Sequence, residues 1–222
     1  MRDTQLKAIE AESLEALSAG ARQERPFEEL IATLAGFAGR LGFTPNALSC
    51  ASVLPATGAL IAAASGDFIL CVILMALSGL CDLLDGPLAR ISGRSSAFGS
   101  LLDSTVDRYA DAAPLIGLSF FYAGNGWMAL VPVAAMFAAY TVSYVRARAE
   151  GLGLKLPPLW MRRTGRMVLI GCALLLAPVS APLISAPAPL TLIGVGLVGV
   201  LSLLASIHAL VVAGRMLEAK KD

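Results

Sequence analysis

Asp82 and Asp85 stand three residues apart, and Asp103 and Asp107 four apart, in stretches that are otherwise apolar. On helices, those spacings put each pair on one face. Two facing pairs would gather four negative charges in a low-dielectric setting, where they repel strongly unless cations neutralise them. Ligands made only of carboxylate oxygen suit Mg²⁺, with Mn²⁺ as the alternative, rather than zinc, and two pairs can hold two ions as a clamp. The competing reading is ion pairing with Arg90, Arg94 or Arg108, which gives buried salt bridges without chemistry.

Between the pairs lies Gly86-Pro87-Leu88-Ala89-Arg90, then a short polar link, Ser92-Gly93-Arg94-Ser95-Ser96, then Gly99. Small residues at Gly86, Ala89 and Gly99 let a helix or a ligand approach the backbone closely. Beside four carboxylates the ligand is a bound phosphate, to which Arg90 offers a fork-shaped donor. Asp111 continues the Asp103 and Asp107 face one turn further and is expected to support its neighbours or helix packing rather than to bind metal.

The elements that must position these residues follow from composition. The chain has 222 residues, 57% of them hydrophobic and 15% charged, with a mean hydropathy of +0.75, which belongs in a bilayer rather than in a water-soluble domain. The expectation is an all-α integral membrane protein with six spans at 46–64, 68–91, 98–123, 128–149, 165–182 and 189–214. Residues 1–43 mix charges with apolar residues at helical spacing and read as amphipathic surface helices, leaving 44–222 as the transmembrane catalytic domain. They lack the apolar core of a cleavable signal, so the mature chain is expected to start near Met1.

All 17 Lys and Arg residues fall on one side of this topology. The positive-inside pattern therefore puts both termini and the loops near 92–97 and 150–164 in the cytoplasm, and the aspartates at that face of the inner membrane. A net charge of +1 gives no reason to expect nucleic acid as a partner. Cys50, Cys71, Cys81 and Cys172 have no metal-ligand spacing and read as packing residues, His208 reads as a packing or backbone-hydrogen-bonding residue rather than a catalytic one, and Trp127 belongs at a membrane interface.

The pattern Asp82-x-x-Asp85-Gly86-x-x-Ala89-Arg90, eight residues, Gly99-x-x-x-Asp103-x-x-x-Asp107 resembles the signature of the CDP-alcohol phosphotransferase family at all eight fixed positions. The resemblance runs from Thr44-Pro45-Asn46 to the basic segment near Arg166. It implies that Asp82, Asp85 and Asp103 bind metal, and that Asp107 is both a ligand and the base for the acceptor's proton. It implies that the CDP-alcohol contacts Gly86, Arg90 and Ser96, with Asn46 close by and Ala89 and Gly99 completing the site. The donor would be CDP-diacylglycerol drawn from membrane lipid, with CMP released. It also makes a homodimer an available assembly, which the spacing alone does not show.

Ser143-Tyr144-Val145-Arg146-Ala147-Arg148-Ala149-Glu150 resembles the phosphatidylinositol-phosphate synthase branch of that family. By that resemblance Ser143, Arg146, Arg148, Arg163 and Arg166 would bind an acceptor such as inositol phosphate. Arg162 stands where the branch usually has an acid, and glycerol 3-phosphate is the rival acceptor. Read from charge alone, these arginines either attract an anionic acceptor or anchor the helices to lipid headgroups. A cation-coupled transporter would also place carboxylates in a membrane, but it should show repeated or interrupted spans, and a scaffold would leave the aspartates without purpose.

Overall fold

Four helix starts are written into the sequence as side-chain caps. Thr44, Asp67, Ser96 and Asn125 accept the backbone N–H groups of Ala47, Leu70, Gly99 and Met128 at 3.2, 3.1, 3.0 and 3.4 Å, each satisfying a donor that the first helical turn leaves free. The computed structural model describes residues 26, 28–180 and 187–220. Residues 28–40 form α1, followed by α2 (Pro45–Ala51), α3 (Val53–Ala64), α4 (Phe68–Ile91), α5 (Ala97–Phe121), α6 (Gly126–Gly151), α7 (Arg163–Leu175), α8 (Ala177–Ser180) and α9 (Pro189–Glu218). The first 25 residues of the expected surface region lie outside the described residues.

Among the described residues, four segments are long and apolar enough to cross a membrane: Pro45–Ala64, Phe68–Ile91, Gly126–Gly151 and Pro189–Glu218. The other two of the six expected spans, at α5 and α7, fall outside this set for separate reasons. α5 has 25 residues but carries Asp103, Asp107, Arg108 and Asp111, and α7 has only 13 residues before the chain turns into α8. The expected first span is also broken at Ser52 into α2 and α3, where Ser52 Oγ turns back to the carbonyl of Ser49 at 2.7 Å. Ser78 of α4 then donates to the Ser52 carbonyl at 3.0 Å, fixing the break against α4.

α6 packs along α9, α3 lies against both α4 and α5, α5 meets α6, and α7 bridges α4 and α9. The seams are made of small residues, which let helix backbones come close where lipid leaves little hydrophobic drive for association. Thr191 of α9 donates to the Ala173 carbonyl of α7 at 2.9 Å, and Tyr122 donates to the Ala188 carbonyl at 2.9 Å. Outward faces carry large apolar residues such as Leu54, Ile69, Ile73, Phe120, Phe137 and Ile193, the surface a lipid-embedded bundle presents. Trp127 is exposed on this surface at the start of α6. Of the four cysteines only Cys71 is buried, and His208 lies on an exposed face of α9. Cys50, Cys172 and His208 are therefore exposed on the bundle rather than buried in its core.

Gly117 marks the closest approach of α5 to α3. A Cβ there would collide with the Leu60 carbonyl oxygen and sit 2.7 Å from the Ala63 Cβ, and backbone atoms cannot step aside as a flexible side chain can. Gly117→Ala should therefore destabilise the bundle by about 1–3 kcal/mol. A lowered thermal midpoint in detergent would check this, and an unchanged one would mean the seam opens without cost.

Candidate active site

The carboxylates come from the second half of α4 and the first half of α5, which run past one another beside α2. Asp82, Asp85 and Asp103 each offer an oxygen, all within 4.8 Å of one another. Asp85 is buried and accepts a hydrogen bond from Ser49 Oγ of α2. Asp107 lies outside that group of three. Its Oδ1 is buried and accepts no hydrogen bond, because its 2.7 Å contact with Arg163 Nη1 is an ion pair without hydrogen-bond alignment.

Arg163, at the start of α7, joins the site from the far side. Its Nη1 also donates to Asp82 Oδ2, and its Nε donates to Asp111 Oδ1 at 2.9 Å. Asp111 is almost fully buried and receives Arg166 Nη2 on its other oxygen at 3.1 Å, with Arg108 at 4.0 Å. Asp111 thus serves the arginines, in keeping with its expected supporting role. Among the described residues Arg90 and Arg94 make no ion pair with these carboxylates; the charge balance that exists comes from Arg163, 81 residues away from Asp82.

Three cavities meet at the aspartates, and each takes a different share of them. A polar cavity of about 280 Å³ is lined by Asp85 and Asp103 together with Asn46, Gly86, Ala89, Arg90, Ser96 and Gly99. A polar cavity of about 880 Å³ is lined by Asp107 with Ser143, Arg146, Arg163 and Arg166. An apolar cavity of about 480 Å³ between α3, α4, α5 and α7 ends on Asp82 and Arg163.

Local structure accounts for several of these placements. Ser96 caps α5 and Gly99 follows it, and a Cβ on Gly99 would lie 3.1 Å from both Asn46 Oδ1 and Ser96 Oγ, so glycine is what lets Asn46 reach α5. The Gly86 Cβ position has only Arg90 Nη1 nearby, at 3.7 Å, which leaves free space for a ligand. In α6, Ser143, Arg146 and Glu150 share a face, and Arg146 pairs with Glu150 at 3.2 Å.

Arg148 does not line the cavity with them; two residues beyond Arg146, it is turned about 200° round the helix. Arg108 and Arg162 do line it and were not among the residues expected to bind an acceptor. The signal for Arg108 was its place directly after Asp107, and for Arg162 its place directly before Arg163. Ser49 was missed too, although it lies one helical turn after Asn46.

The carboxylate set fits a divalent cation. Three convergent hard oxygens and a buried carboxylate oxygen with no hydrogen bond are what Mg²⁺ or Mn²⁺ takes as ligands, and nothing softer is present among them.

The sequence profile of the CDP-alcohol phosphatidyltransferase family matches residues 43–211. The chain belongs to this family. It is a multi-pass membrane enzyme of the transferase class. It is 38% identical over 133 residues to the archaetidylinositol phosphate synthase of Methanothermobacter thermautotrophicus, covering 60% of this chain and 67% of that one. Its fold matches the crystal structure of the Mycobacterium tuberculosis phosphatidylinositol phosphate synthase with CDP-DAG bound, with a TM-score of 0.72, 25% identity, and coverage of 83% of this chain and 94% of that one. The same synthase in complex with manganese and citrate matches with a TM-score of 0.72 at 25% identity, over 82% and 88% of the two chains. Membership in the CDP-alcohol phosphatidyltransferase family supports use of a divalent metal through the aspartate cluster.

Proposed function

We propose that this CDP-alcohol phosphatidyltransferase moves the phosphatidyl group of CDP-diacylglycerol to an inositol phosphate and releases CMP. The observation that carries the reading is the convergence of three chemically distinct cavities on one carboxylate cluster. A small polar cavity beside Arg90 suits a nucleotide, an apolar one suits acyl chains, and an arginine-lined one suits an anionic acceptor. The names of the relatives, an archaetidylinositol phosphate synthase and a phosphatidylinositol phosphate synthase, favour that acceptor over glycerol 3-phosphate.

In this reading Asp82, Asp85, Asp103 and Asp107 would hold two Mg²⁺ or Mn²⁺ ions, which when bound neutralise charge on the donor's pyrophosphate. Asn46, Gly86, Ala89, Arg90, Ser96 and Gly99 hold the CDP moiety. Asp107 borders the acceptor cavity, unlike Asp82, Asp85 and Asp103, so it takes the acceptor's hydroxyl proton. The freed oxygen attacks the phosphorus that carries the lipid, and the bond from that phosphorus to CMP breaks. Ser143, Arg146 and Arg163 face the acceptor's phosphate, while Arg166, buried against Asp111, holds their framework. Helix α1, residues 28–40, lies on the membrane surface, and the helices from α2 onward form the catalytic domain. α5 and α7 complete six spans, with both termini and the site at the cytoplasmic face of the inner membrane, as the one-sided Lys and Arg distribution supports.

The test is CMP release by purified protein given CDP-diacylglycerol, Mg²⁺ and one acceptor at a time. Inositol phosphate should exceed glycerol 3-phosphate by about tenfold or more in kcat/KM, the scale on which a polar site rejects a poorly matched polar substrate. The reverse order would transfer the enzyme to the glycerol phosphate branch.

A further inference from the structure

Arg163 touches three of the five aspartates on α4 and α5, and the two ends of its guanidinium do different things. The Nε end is anchored on Asp111 at 2.9 Å, a residue 3% exposed and gripped from its other side by Arg166 at 3.1 Å. The Nη1 end sits between helices, paired with Asp82 of α4 and, at 2.7 Å, with Asp107 of α5. Asp82 is also one of the three carboxylates that converge within 4.8 Å. A divalent cation and Nη1 sharing Asp82 would stand within a few ångströms of one another, where their repulsion outweighs what either gains from a shared carboxylate.

We propose that Arg163 is a resident counter-cation that a divalent metal ion displaces. Its Nη1 end yields Asp82 and Asp107 to the metal and swings about the Asp111 anchor into the 880 Å³ polar cavity that Arg163 also lines. The inference rests on reading the aspartates as metal ligands. It gives Asp111 and Arg166 a purpose, since an anchor that stays put is what converts loss of two ion pairs into a swing rather than a release. It also couples two events: the metal delivers a guanidinium to the acceptor's cavity, so acceptor and metal each favour the other's binding.

Two measurements on the full-length protein in detergent test it, neither of which needs turnover. In calorimetric titration with Mn²⁺ alone, Arg163→Gln should bind about tenfold more tightly than wild type, because a competing charge is gone. Asp82→Asn should bind more weakly. Equal or weaker binding by Arg163→Gln overturns the exchange, since it would make the guanidinium a support of the metal site. Unchanged binding by Asp82→Asn would instead remove the metal assignment on which the inference stands. The second measurement uses wild type and so does not depend on a variant folding. In a structure with Mn²⁺ bound, Nη1 should be beyond about 4 Å, the usual ion-pair limit, from Asp82 and Asp107 while Nε remains on Asp111. A guanidinium still paired with both beside the ion overturns the proposal.

Discussion

Asp107→Asn is expected to lower CMP release about a thousandfold, the scale of a lost general base, while leaving the helices in place. The substitution is isosteric, and Arg163 keeps its contacts with Asp82 and Asp111, so no charge is stranded. What disappears is the charge of a carboxylate whose buried Oδ1 accepts no hydrogen bond and which borders the arginine-lined cavity. An amide there can neither take a proton nor carry charge. Mn²⁺ binding should weaken but persist, because Asp82, Asp85 and Asp103 still converge; a loss of CMP release that saturating Mn²⁺ does not restore separates loss of a base from loss of a metal ligand. Removing metal from wild type with EDTA should cause a comparable loss that Mg²⁺ or Mn²⁺ reverses. Activity within tenfold of wild type in Asp107→Asn would assign the proton to another group.

The parts of this molecule that sequence makes legible are those governed by local geometry. Helix α4 occupies the expected 68–91, because a continuous apolar run with an Asp67 cap leaves little choice of start. The i, i+3 and i, i+4 spacing of the aspartates puts each pair on one face whatever the tertiary packing. The same rule gathers Asn46 and Ser49 on one side of α2. What stayed hidden depends on contacts between distant segments. Arg163 meets Asp82 and Asp111 across 81 and 52 residues, and no periodicity reports such a pairing. The competing reading of the aspartates as partners of Arg90, Arg94 or Arg108 is right in kind but not in the cation: Arg163 from α7 pairs with Asp82 and Asp107, while Arg108 reaches only Asp111, at 4.0 Å. The break at Ser52 was invisible because serine is tolerated in an apolar helix and only its bond with Ser78 shows that α4 holds the break. Charge also sets α5 apart from the four apolar segments, since it has the length to cross but carries the site's own acids.

Arg166→Met should lower stability by about 3 kcal/mol, near the lower end of the range for breaking a buried ion pair, and so lower the thermal midpoint by about 6–12 °C. Arg166 and Asp111 are each 3% exposed by side chain, so neither can turn to solvent when its partner is removed. Methionine matches much of the arginine stem and fills the space, which makes the loss one of charge rather than of packing. The cost stays at the low end because Asp111 keeps Arg163 on Oδ1, but Oδ2 is left with only Arg108 at 4.0 Å. Arg166 also donates to the Met161 carbonyl at 3.2 Å, which ties the segment before α7 to the helix, and that bond goes too. Adding Asp111→Asn to Arg166→Met should recover a good part of the midpoint, since the stranded carboxylate is then neutral. If the double variant is no more stable than Arg166→Met, the loss lies in the Met161 contact and in packing, and the buried charge is not what holds α7 against α5.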